Sequence, residues 1–189
     1  MTAHVWEDLP YQAYRLFANY APWNADEEFT STIRQVKPNT VVDIYRRYEL
    51  WMLVEQSRKL DGAIIEIGVW RGGSGALIAK QASLCGIESP VYMCDTFTGV
   101  PKATAKDSAF KGGEHADTSP EIVQALLDKY GLVNVKVLPE VFPEQTAHLI
   151  YENQFRFRHI DVDTCQSTKD ITDWIWDKMV VGGIIVHDD

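Results

Sequence analysis

The stretch Ala63-Ile-Ile-Glu-Ile-Gly-Val-Trp-Arg-Gly-Gly-Ser-Gly75 decides the fold. A short isoleucine-rich run ends at Gly68 and passes, through a glycine-rich turn, into a helical pattern from Gly73, which reads as a strand feeding a helix. The same alternation repeats outward. Val91 to Asp95, Val135 to Leu138, Phe157 to Asp161 and Gly183 to His187 read as further strands, and helical patterns start near Phe142 and Ser167. Another helix shows Thr118 and Glu121 in capping-box spacing, Pro120 in its first turn, and Ile122, Val123, Leu126, Leu127 and Tyr130 as its apolar stripe. Upstream, Val41, Ile44, Tyr45, Tyr48, Trp51 and Met52 predict an amphipathic helix to about Leu60, closed by Asp61-Gly62. Five strands alternating with helices imply right-handed crossovers and a doubly wound, mostly parallel α/β sheet. Ligands of such sheets bind outside the carboxyl ends of the strands, where strand order reverses.

A chain of 189 residues, 46% hydrophobic and 24% charged, suits one well-cored domain. Eighteen basic against twenty-seven acidic residues leave a net charge of −9, which repels phosphate backbones and anionic membrane surfaces. Three cysteines, Cys85, Cys94 and Cys165, form no C-x-x-C pair, so neither a disulfide framework nor a zinc knuckle is indicated. With no basic head or apolar stretch at the N-terminus, the expectation is a cytoplasmic protein that binds neither nucleic acid nor membrane. Residues 1–39, broken by Pro10, Pro22 and Pro38, read as a helical arm, and 40–189 as the functional domain. The arm's Trp6, Tyr11, Tyr14, Phe17, Tyr20 and Trp23 suggest a homodimer or higher homo-oligomer. Between Pro101 and Ser119 no periodicity is visible, as in a lid hinged at Gly112-Gly113, in which His115 reads as a solvated loop histidine.

The chemistry concentrates at strand ends. Gly68, Gly72 and Gly73 do not form G-x-G-x-x-G, so the dinucleotide fingerprint is absent, yet the turn admits a ligand close to backbone and opens a helix N-terminus toward an anion such as a carboxylate. Asp95, ending the second strand, is placed to accept from ribose hydroxyls. Together these point to S-adenosylmethionine. Asp161, Asp188 and Asp189 end the fourth and fifth strands, which lie roughly 5 Å apart when neighbours, so the three carboxylates can share one ion. Hard oxygen donors without cysteine suit Mg²⁺ or Mn²⁺. Period-two alternation leaves Asp163 on the same side as Asp161, as a general base for an acceptor hydroxyl. His159 and His187 adjoin these acids, where supporting hydrogen bonds and strand packing are both open. The Asp161-Val162-Asp163 spacing also suits a metal-dependent nucleotide-sugar enzyme, and a non-catalytic cofactor-binding module is a third alternative.

Glu66-Ile-Gly-Val-Trp-Arg-Gly-Gly-Ser74, Tyr92-x-Cys-Asp-Thr-Phe-x-Gly99-x-Pro101, Gly112-Gly-Glu-His-Ala-Asp-Thr-Ser119, Phe157-x-His-Ile-Asp-Val-Asp163 and Gly182-Gly-x-x-x-x-Asp188-Asp189 jointly resemble the macrocin O-methyltransferase family over residues 40 to 189. The resemblance implies a Rossmann-like sheet of the class I methyltransferase type and methyl transfer from S-adenosylmethionine, with Mg²⁺, to a sugar or phenolic hydroxyl of a small-molecule acceptor, a natural product such as an antibiotic. It implies that Glu66, Gly68, Val69, Trp70 and Ser74, with Asp95, Thr96, Phe97 and Gly99, hold the cofactor, and that Thr40 and Val41 lie near its methionine end. It assigns the metal to Asp161, Asp188 and Asp189, and the base to Asp163. Family members carry two further strands after the Asp-Asp pair, so the sequence is expected to be a fragment ending after the fifth strand of seven.

Overall fold

The computed structural model describes residues 20–188. Its elements run in the expected order: α1 (Glu27–Val36), α2 (Ile44–Gln56), β1 (Ala63–Ile67), α3 (Gly73–Leu84), β2 (Val91–Asp95), α4 (Pro120–Lys129), β3 (Val135–Pro139), β4 (Phe155–Ile160), α5 (Cys165–Ile175) and β5 (Met179–His187), with short 3-10 turns between some of them. All the neighbouring strand pairs are parallel, and the sheet order is β3-β2-β1-β4-β5. The reversal of strand order therefore falls between β1 and β4.

Apart from Glu66 and the terminal Asp95, strands β1 and β2 are apolar on both faces because both faces are covered. On one side Ile64, Val91 and Met93 pack under α1, α2, α3 and α4, through Phe29, Trp51, Leu77, Ile78, Val123 and Leu127. On the other, Ile65, Ile67, Tyr92 and Cys94 meet Ile171 and Ile175 of α5, with Phe142 and Ile150. The described part of the arm packs on the first of these layers. Trp23 is buried there, edge-on to Tyr45 and Tyr48, while Tyr20 is exposed and Trp6, Tyr11, Tyr14 and Phe17 lie outside the described residues. Trp174 packs edge-on to Phe142, whereas Trp176, beyond the end of α5, is exposed.

Local signals move several boundaries. Helix α2 begins at Ile44 because Asp43 caps it, accepting from the Tyr45 and Arg46 N–H groups, which leaves Val41 outside the helix. The cap of α4 is Ser119, which accepts from the Ile122 N–H, since Pro120 occupies the first helical position; Thr118 instead donates to the Trp70 carbonyl. The helix expected from Phe142 is absent. Pro143 disfavours a helical Phe142, and only isolated turns form, followed by a 3-10 turn at Ala147–Leu149. Strand β4 starts earlier than expected, at Phe155, and stops at Ile160, so the alternation argument for Asp161 and Asp163 does not apply. The 101–119 loop is tied to the scaffold. Glu114 accepts from the Lys111 and Gly112 N–H groups, Asp107 from Cys165 N–H, and Asp117 from the Trp70 indole.

Candidate active site

An open cleft, enclosing about 790 Å³ of empty space with its mouth included, lies at the carboxyl ends of the strands, over the β1/β4 switch point. Gly68 makes that position possible. Its N–H donates to the Cys94 carbonyl at 2.9 Å, Asp161 N–H donates to Ile67 carbonyl at 2.9 Å, and a Cβ on Gly68 would fall 1.7 Å from the Asp161 carbonyl oxygen. The ends of β1, β2 and β4 are thereby drawn together. Six described non-glycine residues have left-handed backbone, and four of them, Trp70, His115, Glu140 and Asp163, line this cleft. Such strain gathers where the surrounding structure holds a site in a fixed geometry.

Asp95 organises the floor. One carboxylate oxygen accepts from Val69 N–H at 2.7 Å and Trp70 N–H at 2.8 Å, and the other from Phe97 N–H at 2.7 Å. Those backbone donors are thus unavailable to an anion. Asp95 lines the cleft and keeps lone pairs for a ribose hydroxyl, although fewer than an unengaged carboxylate would. Val41, Gly68, Trp70, Thr96 and Gly99 also line it. Val69 and Phe97 are buried beside it, and Ser74 is buried in α3. Thr40 sits against the start of α3, where a Cβ on Gly73 would meet Asn39 and Thr40. Glu66 is elsewhere. Its side chain is fully buried under α3, with Oε1 2.9 Å from Nδ1 of His159, and it does not reach the cleft.

Asp161 and Asp163 line the same cleft. Asp188 follows β5, its N–H donating to the Ile160 carbonyl at 2.9 Å. Its side chain is ion-paired with Arg46 of α2, and its Oδ1 lies 3.9 Å from Nε2 of His159. Asp189 lies outside the described residues. Arg46 also donates to Asp43 at 2.8 Å; that bond raises its pKa, burial opposes the rise, and the charges of Asp188, Asp43 and Asp161 reinforce it. Burial opposes a charge on His159, but Asp188 and Glu66 outweigh it and push the imidazole up to about 9. Arg158, buried without an acidic partner in its hydrogen bonds, is pushed down to about 10 by desolvation, and donates to His187 at 3.3 Å.

Among the described residues no group of three or more histidine, cysteine or acidic side chains is arranged to hold a metal. The donor chemistry still fits a hard divalent ion. Asp161 and Asp188 stand at adjacent strand ends as hard oxygen donors, the second of them paired with the Arg46 guanidinium. Sequence reasoning did not identify Arg46, nor Glu140, Val141 and Phe142 of the β3 end, as part of this region. For the latter, the rule that ligands sit beyond strand ends was the available signal.

The sequence pattern of the macrocin O-methyltransferases (TylF) matches residues 30–189. The chain belongs to this family. A relative in Streptomyces olivaceus, 8-demethyl-8-(2,3-dimethoxy-alpha-L-rhamnosyl)-tetracenomycin-C 4'-O-methyltransferase, is 28% identical over 163 residues, covering 80% of this chain. This macrocin O-methyltransferase family chain spans 62% of that relative's length. Among solved structures, the O-methyltransferase NovP superposes with a TM-score of 0.71 at 25% identity, over 80% of this chain and 67% of NovP. The calicheamicin methyltransferase CalS11 shares the fold, with a TM-score of 0.69 at 18% identity over 94% of this chain and 82% of its own. The doubly wound sheet of the family is the one observed.

Proposed function

We propose that the chain belongs to an S-adenosylmethionine-dependent O-methyltransferase that methylates a sugar or phenolic hydroxyl of a natural-product acceptor with the help of Mg²⁺ or Mn²⁺. The observation that carries this reading is the cleft, which brings Gly68, Trp70, Asp95, Asp161 and Asp163 together at the strand ends. Asp95 would accept from the ribose, and Trp70, with Val41 near the methionine end, would line the cofactor's cleft. Asp163 would accept the acceptor's hydroxyl proton; the cofactor would supply the methyl group, its S–CH3 bond breaking as the O–CH3 bond forms and the neutral thioether S-adenosylhomocysteine leaving. Asp161 and Asp188, with Asp189, would hold the divalent ion, which would supply a lowered pKa for the acceptor hydroxyl. Family membership favours this over a nucleotide-sugar enzyme or a non-catalytic module. The S. olivaceus relative, named for a sugar hydroxyl, supports a glycosyl acceptor. Association into a homo-oligomer and a cytoplasmic location belong to the same proposal; no helix among the described residues is long and apolar enough to cross a membrane.

The test is transfer of a labelled methyl group from S-adenosylmethionine to glycosylated or phenolic acceptors, with and without chelator. Turnover should need the divalent ion, and Asp163→Asn should lower kcat by about 10²- to 10⁴-fold while calorimetry still shows S-adenosylhomocysteine binding. Chelator-resistant turnover would remove the metal from the mechanism. A monomer in sedimentation at all concentrations would remove the oligomer.

A further inference from the structure

We propose that Glu66 is a positioning residue, acting through His159 on Asp188, and not a cofactor ligand; this rests on the divalent-ion reading above. Glu66 and His159 are register partners on β1 and β4, and both side chains are fully buried. Across the next strand pair, His159 aligns with Val186 of β5, and the chain emerging from β5 is tied back to β4 by the Asp188 N–H on the Ile160 carbonyl. Three polar side chains thus stand in a row over three adjacent strands, with Glu66 Oε1 2.9 Å from His159 Nδ1 and His159 Nε2 3.9 Å from Asp188 Oδ1.

Helix α3 closes directly over Glu66, where a Cβ on Gly75 would lie 2.4 Å from Glu66 Oε2 and 2.3 Å from the Met93 methyl. The glycine is required because the carboxylate occupies the space its side chain would need. Among the described residues, Glu66 Oε2 and His159 Nε2 have no hydrogen-bond partner, and both are shielded from solvent. An apolar pair of similar volume would serve packing at lower cost, so the dyad needs another reason to be there. A carboxylate on Nδ1 fixes the rotation of the imidazole and turns Nε2 toward Asp188. Arg46 holds the other Asp188 oxygen, so the carboxylate is gripped from two sides and its side chain is only 6% exposed.

The measurement is a Mn²⁺ titration of the 189-residue chain, read by loss of the free-ion EPR signal, alongside calorimetry of S-adenosylhomocysteine. Glu66→Gln and His159→Gln should each weaken Mn²⁺ binding by about 10-fold or more, and leave S-adenosylhomocysteine binding within about twofold. Glu66→Asp, which keeps the charge, should recover part of the Mn²⁺ affinity. If neither carboxamide variant folds, Glu66→Asp alone decides: weakened Mn²⁺ binding with intact cofactor binding supports the role, and any other pattern refutes it. Loss of S-adenosylhomocysteine binding with Mn²⁺ binding intact would make Glu66 a cofactor ligand. No change in either would make the dyad packing alone. If the unsubstituted chain takes up no Mn²⁺, the metal reading fails and this proposal with it, whereas Mn²⁺ uptake that Glu66→Gln does not weaken removes this proposal alone.

Discussion

Asp95 shows how one carboxylate ties chemistry to scaffold. It engages three backbone N–H groups, two of them in the glycine turn, and these have no other partner once it is gone. Asp95→Ala should lower stability by about 3 kcal/mol, since charge-assisted bonds are lost and their donors left unsatisfied, and should abolish detectable S-adenosylhomocysteine binding; urea unfolding and calorimetry measure the two effects. His159 provides the pH dependence. Its folded-state pKa lies above its ordinary value, at about 9, so the protonated ring stabilises the fold fully below about pH 6.5, and that contribution is lost as pH rises through about 9. The urea midpoint of the protein should fall between pH 7 and pH 10 more steeply than that of His159→Gln; equal slopes would show that the charge contributes nothing to folding.

At the scale of elements, the junction of β1 and β4 carries the site. Gly68 has φ of +86°, and a side chain there would collide with the Asp161 backbone whatever rotamer it chose. Gly68→Ala should therefore cost about 3 kcal/mol or more, through strain at a special backbone position. It should also push the two strand ends apart, so that thermal unfolding and cofactor calorimetry change together. The helix termini were only partly readable from local rules. Asp43 and Ser119 each displaced an expected boundary by a residue or more because a cap outcompetes apolar periodicity at a helix end. The helix expected at Phe142 failed for the same kind of reason, because Pro143 acts on the conformation of the residue before it.

For the molecule as described, apolar layers cover both faces of the central strands β1 and β2 with no ligand between them. Ligand binding should then add stability without being needed for folding. S-adenosylhomocysteine at 100 times its Kd should contribute about 2.7 kcal/mol, or about 5–11 °C in Tm for a chain of this size. Scanning fluorimetry reads the shift, and chelator alone should leave the far-UV circular dichroism unchanged.

Periodicity and turn chemistry are local, so the order of elements, the parallel sheet, and the placement of Gly68, Asp95, Asp161 and Asp163 at strand ends could be derived from the sequence. Each depends on residues a few positions apart, and on strand ends converging in a doubly wound sheet. Partnerships across distant elements could not be derived in that way. Glu66 reads as a cofactor ligand in the motif, yet strand register turns it toward His159 and α3 covers it. Arg46 reads as one charge on an amphipathic helix, yet packing sets it on Asp188, 142 residues away. A side chain's neighbours across a sheet depend on register and crossover geometry, which no local pattern encodes, and only the tertiary structure decided them.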